Sequence, residues 1–186
     1  MNELKERQAT AEKAGKAVKL PRIYTRVFNR PRLVAFLKIF DKSAVILTAV
    51  AYLAALIWCA VKDPPSLVGL LVSTAIPFAG ISLFRKLFNA PRPYELYDLS
   101  EFIDSAGLKR GSSFPSRHVA SAFLIGSSLC FVNPIAGVAV LVLAVGVGAC
   151  RVFLAKHFLR DVIAGAAMGG ILGAAGMLIV GLAFSA

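Results

Sequence analysis

Two histidines, a carboxylate four residues past the second, and arginines grouped around them are the residues of this chain that can do chemistry. Residues four apart on a helical turn share a face, so Asp161 can hold one ring nitrogen of His157. That fixes the tautomer and leaves the other nitrogen free to attack, the arrangement of an oriented nucleophile. His118, the other of the two histidines, is then placed to protonate a leaving oxygen as general acid. Arg85 or Lys86, together with Arg92 and Arg151, can surround a phosphoryl group, because a planar guanidinium bonds two phosphate oxygens at once. Ser116 and the backbone N–H groups of Arg117 and His118 open an expected helix, where free N–H groups and the helix dipole favour an anion. Together these residue types suit attack of an imidazole on phosphorus.

Taken singly, each residue has a plainer reading. A lone intramembrane histidine often hydrogen-bonds between helices, and a lone arginine at a helix end often anchors at lipid headgroups. Convergence of so many costly charged groups argues against the plain reading for the set. His118, His157 and Asp161 also make a two-histidine, one-carboxylate donor set of the kind that binds zinc or iron. The surrounding cations would repel a divalent ion, so neither a metal nor any other cofactor is expected. Lys156 and Arg160 are read as headgroup anchors, with substrate contacts as the alternative.

The elements that must position these residues are membrane helices. With 58% hydrophobic residues, only 17% charged and a mean hydropathy of +0.73, a domain of 186 residues has too little interior to hide its apolar surface from water. Four runs, 43–61, 64–84, 119–150 and 162–186, contain no Asp, Glu, Lys or Arg. About 20 helical residues cross a bilayer core, so these runs predict an all-α integral membrane bundle. The run 119–150 is too long for one span, and Asn133-Pro134 marks a turn inside it. The expected crossings are therefore five: 43–61, 66–84, 116–132, 134–156 and 161–184. A single span across 119–150 would put His118 and His157 on opposite faces, so a shared site requires the hairpin. In the last span Gly165, Gly169, Gly170, Gly173 and Gly176 permit close helix packing.

Residues 1–42 form a basic cytosolic or interfacial segment ahead of the membrane-embedded domain, 43–186. The segment has no apolar core of signal-peptide length. It orients the first span, and Val27, Phe28, Leu33, Phe36, Leu37 and Phe40 can lie on anionic lipid. A nucleic-acid partner is not expected, because the formal charge of +11 flanks membrane helices and no nucleic-acid motif accompanies it. Cys59, Cys130 and Cys150 form neither a metal-ligand spacing nor a disulfide framework. Between spans two and three, Glu95, Asp98, Glu101 and Asp104 recur every third residue among Leu96, Leu99, Phe102 and Ile103. That pattern predicts a short amphipathic helix at the interface, with a lid over the lipid's access path as the alternative.

The polar clusters resemble the three-part signature of the type 2 phosphatidic acid phosphatase superfamily: Lys, six residues, Arg-Pro; Pro-Ser-Gly-His; and Ser-Arg, five residues, His, three residues, Asp. Arg92-Pro93 matches the end of the first part, Pro115, Ser116 and His118 the second, and Arg151, His157 and Asp161 the third, in order and with every spacing kept. Arg85 stands at the lysine position with Lys86 beside it, Arg117 replaces the glycine and adds a cation, and Cys150 replaces the serine. The resemblance implies a cofactor-free, metal-independent lipid phosphatase acting through a phosphohistidine on His157, with His118 as acid. The phosphate would be bound by Arg85 or Lys86, Arg92, Ser116, Arg117 and Arg151. Substrates of that class are phosphate monoesters or diphosphates of lipids, of the phosphatidate, phosphatidylglycerol phosphate or polyprenyl phosphate type. A lipid phosphotransferase and a catalytically silent membrane scaffold are the alternatives, and a homo-oligomer is allowed. Every Lys and Arg except Lys62 falls on one side of the expected topology. The positive-inside rule makes that side, with the site, cytosolic in a bacterial inner membrane.

Overall fold

The computed structural model of the chain describes residues 21–97, 99, 102–103 and 110–185. Among these residues all regular structure is helical: α1 (Arg22–Phe28), α2 (Pro31–Lys62), α3 (Pro64–Phe88), α4 (Pro93–Leu96), α5 (Arg117–Leu129), α6 (Pro134–Phe153) and α7 (Leu159–Ser185). The residues that break the hydropathy pattern act here as helix starts. Asp63 caps α3 by accepting from Ser66 N–H at 3.3 Å, ahead of Pro64 and Pro65. Asn133 caps α6 by accepting from Ala136 N–H at 3.0 Å, ahead of Pro134. Proline fits the first turn because it has no N–H to leave unsatisfied there. The α5–α6 hairpin therefore turns at the expected Asn-Pro.

Among the described residues four helices are long and apolar enough to cross a membrane: Pro31–Lys62, the helical stretch Pro64–Leu96, Pro134–Phe153 and Leu159–Phe184. The fifth expected crossing, α5, has 13 residues. At 1.5 Å per residue it covers roughly 20 Å, short of a hydrocarbon core of about 30 Å. It does not face lipid at large, because α2, α3, α6 and α7 all pack on it.

The first span begins earlier than hydropathy suggests. Pro31 at the first helical position starts α2, which runs unbroken past residue 42 to Lys62, so the sequence-based boundary at 42/43 falls inside one helix. Nor do the six apolar residues of this segment lie together on lipid. Val27 and Leu37 are buried with Cys150 and Leu154, with Leu33 and Phe40 packed against them. Phe28 stacks on Phe102, and Phe36 alone of the six is largely exposed, at 60%. Of the expected amphipathic helix after Arg92, one short turn is seen, α4. Asp98, Glu101 and Asp104 lie outside the described residues.

Small residues bring α5 and α7 together. A Cβ on Gly165 would sit 2.7 Å from the Ser116 carbonyl, one on Gly169 would overlap the Ala120 carbonyl, and one on Gly173 would meet the Leu124 carbonyl at 2.6 Å. These glycines, four apart, make one stripe that admits the α5 backbone. Gly176 faces α3, where a Cβ would meet Ser73 Cβ at 2.6 Å, whereas Gly170 has nothing within 4 Å and points away. Ser73 and Ser128 hydroxyls join across α3 and α5 at 2.9 Å.

Candidate active site

The C-terminal ends of α3 and α6 and the N-terminal ends of α5 and α7 meet at one end of the bundle, around the loop 111–116. That loop is held from several sides. Arg85, buried in the last turn of α3, donates from Nη1 to the carbonyls of Pro115 and, at 3.5 Å, Ser113, and from Nη2 to that of Ser112. Ser112 N–H donates to Asn89 Oδ1 at 3.1 Å, and Ser113 N–H to the Ala90 carbonyl at 2.8 Å. Glu95 Oε1 accepts from Arg92 N–H at 3.0 Å and Gly111 N–H at 2.8 Å, while Arg92 Nε donates to the Gly111 carbonyl at 3.0 Å. Ser116 N–H donates to the Asp161 carbonyl at 2.8 Å and so ties the start of α5 to α7. Between the two cations offered by the sequence, Arg85 is built into the loop's underside and Lys86 is exposed.

His157 is not on a helix. α6 ends in a Schellman turn: Ala155 takes the left-handed φ of 53°, its N–H donates to the Val152 carbonyl at 3.0 Å, and Lys156 N–H donates to the Arg151 carbonyl at 3.0 Å. His157 N–H donates to the same Arg151 carbonyl at 3.1 Å, which aims the residue back toward the loop. Asp161, in the first turn of α7, caps that helix by accepting from Phe158 N–H through Oδ2 at 3.0 Å. Thus the spacing of four brings His157 and Asp161 together through a turn and a helix start, not through one helical face.

Ser113, fully buried, mediates the pair. Its hydroxyl donates to Asp161 Oδ2 at 2.6 Å and lies 3.3 Å from His157 Nδ1. Nδ1 and Oδ2 themselves stand 3.7 Å apart, an ion-pair but not a hydrogen-bond distance. A serine hydroxyl has one proton. Since that proton goes to Asp161, Ser113 accepts from Nδ1–H, which makes Nε2 the lone-pair nitrogen of the neutral ring. His157 is 1% exposed. Burial first, then Arg92 and Arg85, push its pKa below the ordinary 6.5, with Asp161 opposing. The ring is therefore neutral at physiological pH.

Around this pair lie the cations. Arg151 donates from Nε to Asp41 Oδ1 at 2.8 Å, and Lys156 donates from Nζ to Asp41 Oδ2 at 2.9 Å. Arg92 acts electrostatically on both His157 and Arg151. His118 is within electrostatic reach of Arg151, Asp41, Arg117 and His157. Arg117 is exposed, its guanidinium 6.0 Å from the Phe78 ring centroid. The Ser116 hydroxyl is buried without a hydrogen-bond partner among the described residues. Also among the described residues, no three His, Cys, Asp or Glu side chains group as metal ligands.

The structure thus brings His118, His157, Asp161, Arg85, Arg92, Ser116, Arg117 and Arg151 to one end of the bundle, where Lys86, also in the last turn of α3, is exposed. Sequence reasoning missed Ser113 and Asp41. A carboxylate just before an apolar run is a costly placement that signals a partner, and Asp41 is the only acid in α2. For Ser113, between Ser112 and Phe114, no spacing rule singles it out.

The sequence profile described as the PAP2 superfamily matches residues 66–184. The chain belongs to the PAP2 superfamily. A curated relative, the lipid A 1-phosphatase of Rhizobium etli, is 29% identical over 109 residues, which cover 56% of this chain and 47% of that protein. The match thus spans about half of that relative. Among solved structures, LpxE of Aquifex aeolicus aligns with a TM-score of 0.65 at 22% identity, over 84% of this chain and 93% of that one. The first transmembrane PAP2-type phosphatidylglycerolphosphate phosphatase from Bacillus subtilis aligns with a TM-score of 0.56 at 22% identity, over 88% and 83%. These likenesses place the fold among membrane PAP2 proteins. Within this PAP2 chain the Cys150 departure has a local reason: the thiol is buried among Val27, Leu37 and Leu154, where a hydroxyl would need a partner.

Proposed function

We propose that this PAP2 protein is a metal-independent lipid phosphatase in which His157 forms a phosphohistidine. The observation that carries the reading is the hydrogen-bond chain from His157 Nδ1 through Ser113 to Asp161, which leaves Nε2 unprotonated beside a cluster of cations. In the first step Nε2 attacks phosphorus, the bond from phosphorus to the lipid oxygen breaks, and that oxygen takes its electron pair and a proton from His118. In the second, water attacks phosphorus, gives a proton back to His118, and frees His157 and inorganic phosphate. Arg92, Arg117 and Arg151 stabilise the phosphoryl oxygens in both steps, as electrostatics does in most phosphoryl transfer. A phosphate oxygen would also satisfy the buried Ser116 hydroxyl. Arg85 supports the same site by ordering the loop.

The substrate proposed is a lipid phosphate reached from the bilayer, of the phosphatidate, phosphatidylglycerol phosphate or polyprenyl phosphate type. The basic start of α2 lies at the same end as the site, because Asp41 contacts Arg151. With the positive-inside rule, this supports a site on the cytosolic face of a bacterial inner membrane.

The test is phosphate release from a panel of lipid phosphates in detergent with EDTA present, for wild type and His157→Ala. Release that resists EDTA and disappears in the variant is expected. Release that survives the substitution contradicts the mechanism, and release that EDTA abolishes contradicts metal independence. Transfer of phosphate to a second lipid without release identifies a phosphotransferase, and neither release nor transfer identifies a silent scaffold.

A further inference from the structure

Asp41 lies on α2, outside the 66–184 stretch that carries the PAP2 match, yet it reaches the centre of the site. It is the only acid in a 32-residue helix and is 4% exposed. A buried carboxylate at a bilayer boundary is costly unless paired, and here each oxygen has its own cation: Oδ1 takes Arg151 Nε at 2.8 Å and Oδ2 takes Lys156 Nζ at 2.9 Å. One anion against two cations leaves the cluster one positive charge in excess, the sign a phosphate needs.

The geometry goes further than neutralisation. A guanidinium has five N–H donors. Asp41 engages the one on Nε, so the paired terminal amino groups of Arg151 are not spent on it and keep their two-pronged fit to phosphate. The two cations also bracket the turn that carries His157. Arg151 supplies the carbonyl that accepts both Lys156 N–H and His157 N–H, and Lys156 immediately precedes His157. By holding both side chains, Asp41 clamps the turn across its two ends.

We propose that Asp41 is a positioning residue, a strut from the first long helix that sets the Arg151 guanidinium and the His157 turn for phosphate. α2 is then part of the active site as well as a membrane span. The inference rests on the reading of this end of the bundle as a phosphate site, and it does not require that water be the acceptor.

A double-mutant cycle on full-length protein in detergent tests it, with binding of inorganic phosphate as the first readout and kcat and KM for lipid phosphate release as the second. If Asp41 acts through Arg151, Asp41→Ala weakens phosphate binding about tenfold and lowers kcat/KM by ~10²-fold, the scale of a 1 Å misplacement. In an Arg151→Ala background it then does little more, because coupled residues are not additive. Asp41→Asn, of the same shape but uncharged, falls between wild type and alanine; it replaces Asp41→Ala in the cycle should the alanine variant not remain monodisperse. An equal loss with and without Arg151 overturns the strut, as does wild-type phosphate affinity in Asp41→Ala. Wild-type phosphate binding without lipid hydrolysis overturns the hydrolase reading alone and leaves the cycle readable, whereas no phosphate binding by wild type overturns both.

Discussion

Replacing Ser113 by alanine removes one oxygen, and the structure says what that oxygen holds. Its hydroxyl donates to Asp161 Oδ2 at 2.6 Å and accepts from His157 Nδ1 at 3.3 Å. Asp161 Oδ1 has no hydrogen-bond partner among the described residues, and Arg160 Nε stands 3.6 Å from it. Oδ2 therefore carries the orientation of the carboxylate through Ser113 and Phe158 N–H alone. A buried hydrogen bond to a charged group contributes about 1.5–3 kcal/mol, and each 1.4 kcal/mol is tenfold in rate. If the chain acts fully in the transition state, Ser113→Ala lowers kcat/KM by roughly 10- to 150-fold. On the proposed mechanism the loss belongs in kcat, because the serine hydroxyl bonds His157 and Asp161 and acts only by orienting the nucleophile. The assay is steady-state phosphate release from a lipid phosphate in mixed micelles, with Asp161→Asn alongside. A loss below about threefold for Ser113→Ala beside a large loss for Asp161→Asn would refute the relay: the carboxylate would then orient His157 directly, the 3.7 Å gap closing when substrate binds.

Three further outcomes are expected. Because burial holds the His157 pKa below 6.5, and only the neutral ring attacks, activity should fall as pH drops through that lowered value. The acid limb of a pH profile of kcat/KM should then have its midpoint below 6.5, and a midpoint above it contradicts the placement of His157. Arg85→Ala, which frees the carbonyls of Ser112, Ser113 and Pro115, should cost ~10²-fold in kcat/KM through a misplaced loop. Exposed Lys86→Ala should stay within about twofold, and equal losses would mean the helix end is placed wrongly. Gly169→Ala forces a methyl onto the Ala120 carbonyl and should destabilise by about 1–3 kcal/mol, whereas Gly170→Ala meets nothing within 4 Å. Detergent thermal unfolding of the two variants should separate them, and matching midpoints would count against the α5–α7 packing.

The bundle was readable from the chain because its signals are local. Charge-free runs give the spans, and Asn133-Pro134 supplies both a cap and a proline-compatible first turn, so the hairpin could be located to the residue. The start of α2 was not readable by the same means: Lys38, Asp41 and Lys42 interrupt the apolar run while Pro31 begins the helix well before them. Hydropathy sees charge, and the backbone follows the proline. The candidate site residues could be singled out because their type is costly where they sit and their spacing is fixed. Their division of labour was not, because Arg85 and Lys86 are adjacent in sequence and one helical step decides which is buried. Ser113 and Asp41 escaped for a different reason. Their partners lie 48 and 110 residues away, and only the folded bundle brings them together.

The proposed mechanism requires a covalent bond between phosphorus and His157. Rapid acid-free quenching of wild type with a lipid phosphate radiolabelled on phosphorus, followed by denaturing electrophoresis at alkaline pH, tests it directly. A phosphohistidine on His157 gives a protein-bound label that survives alkali, is lost in acid, maps to the peptide carrying His157, and accumulates in His118→Ala if the label comes from a leaving group that needs no proton. The same label retained in His157→Ala, or no label in a wild type that turns over, would contradict it.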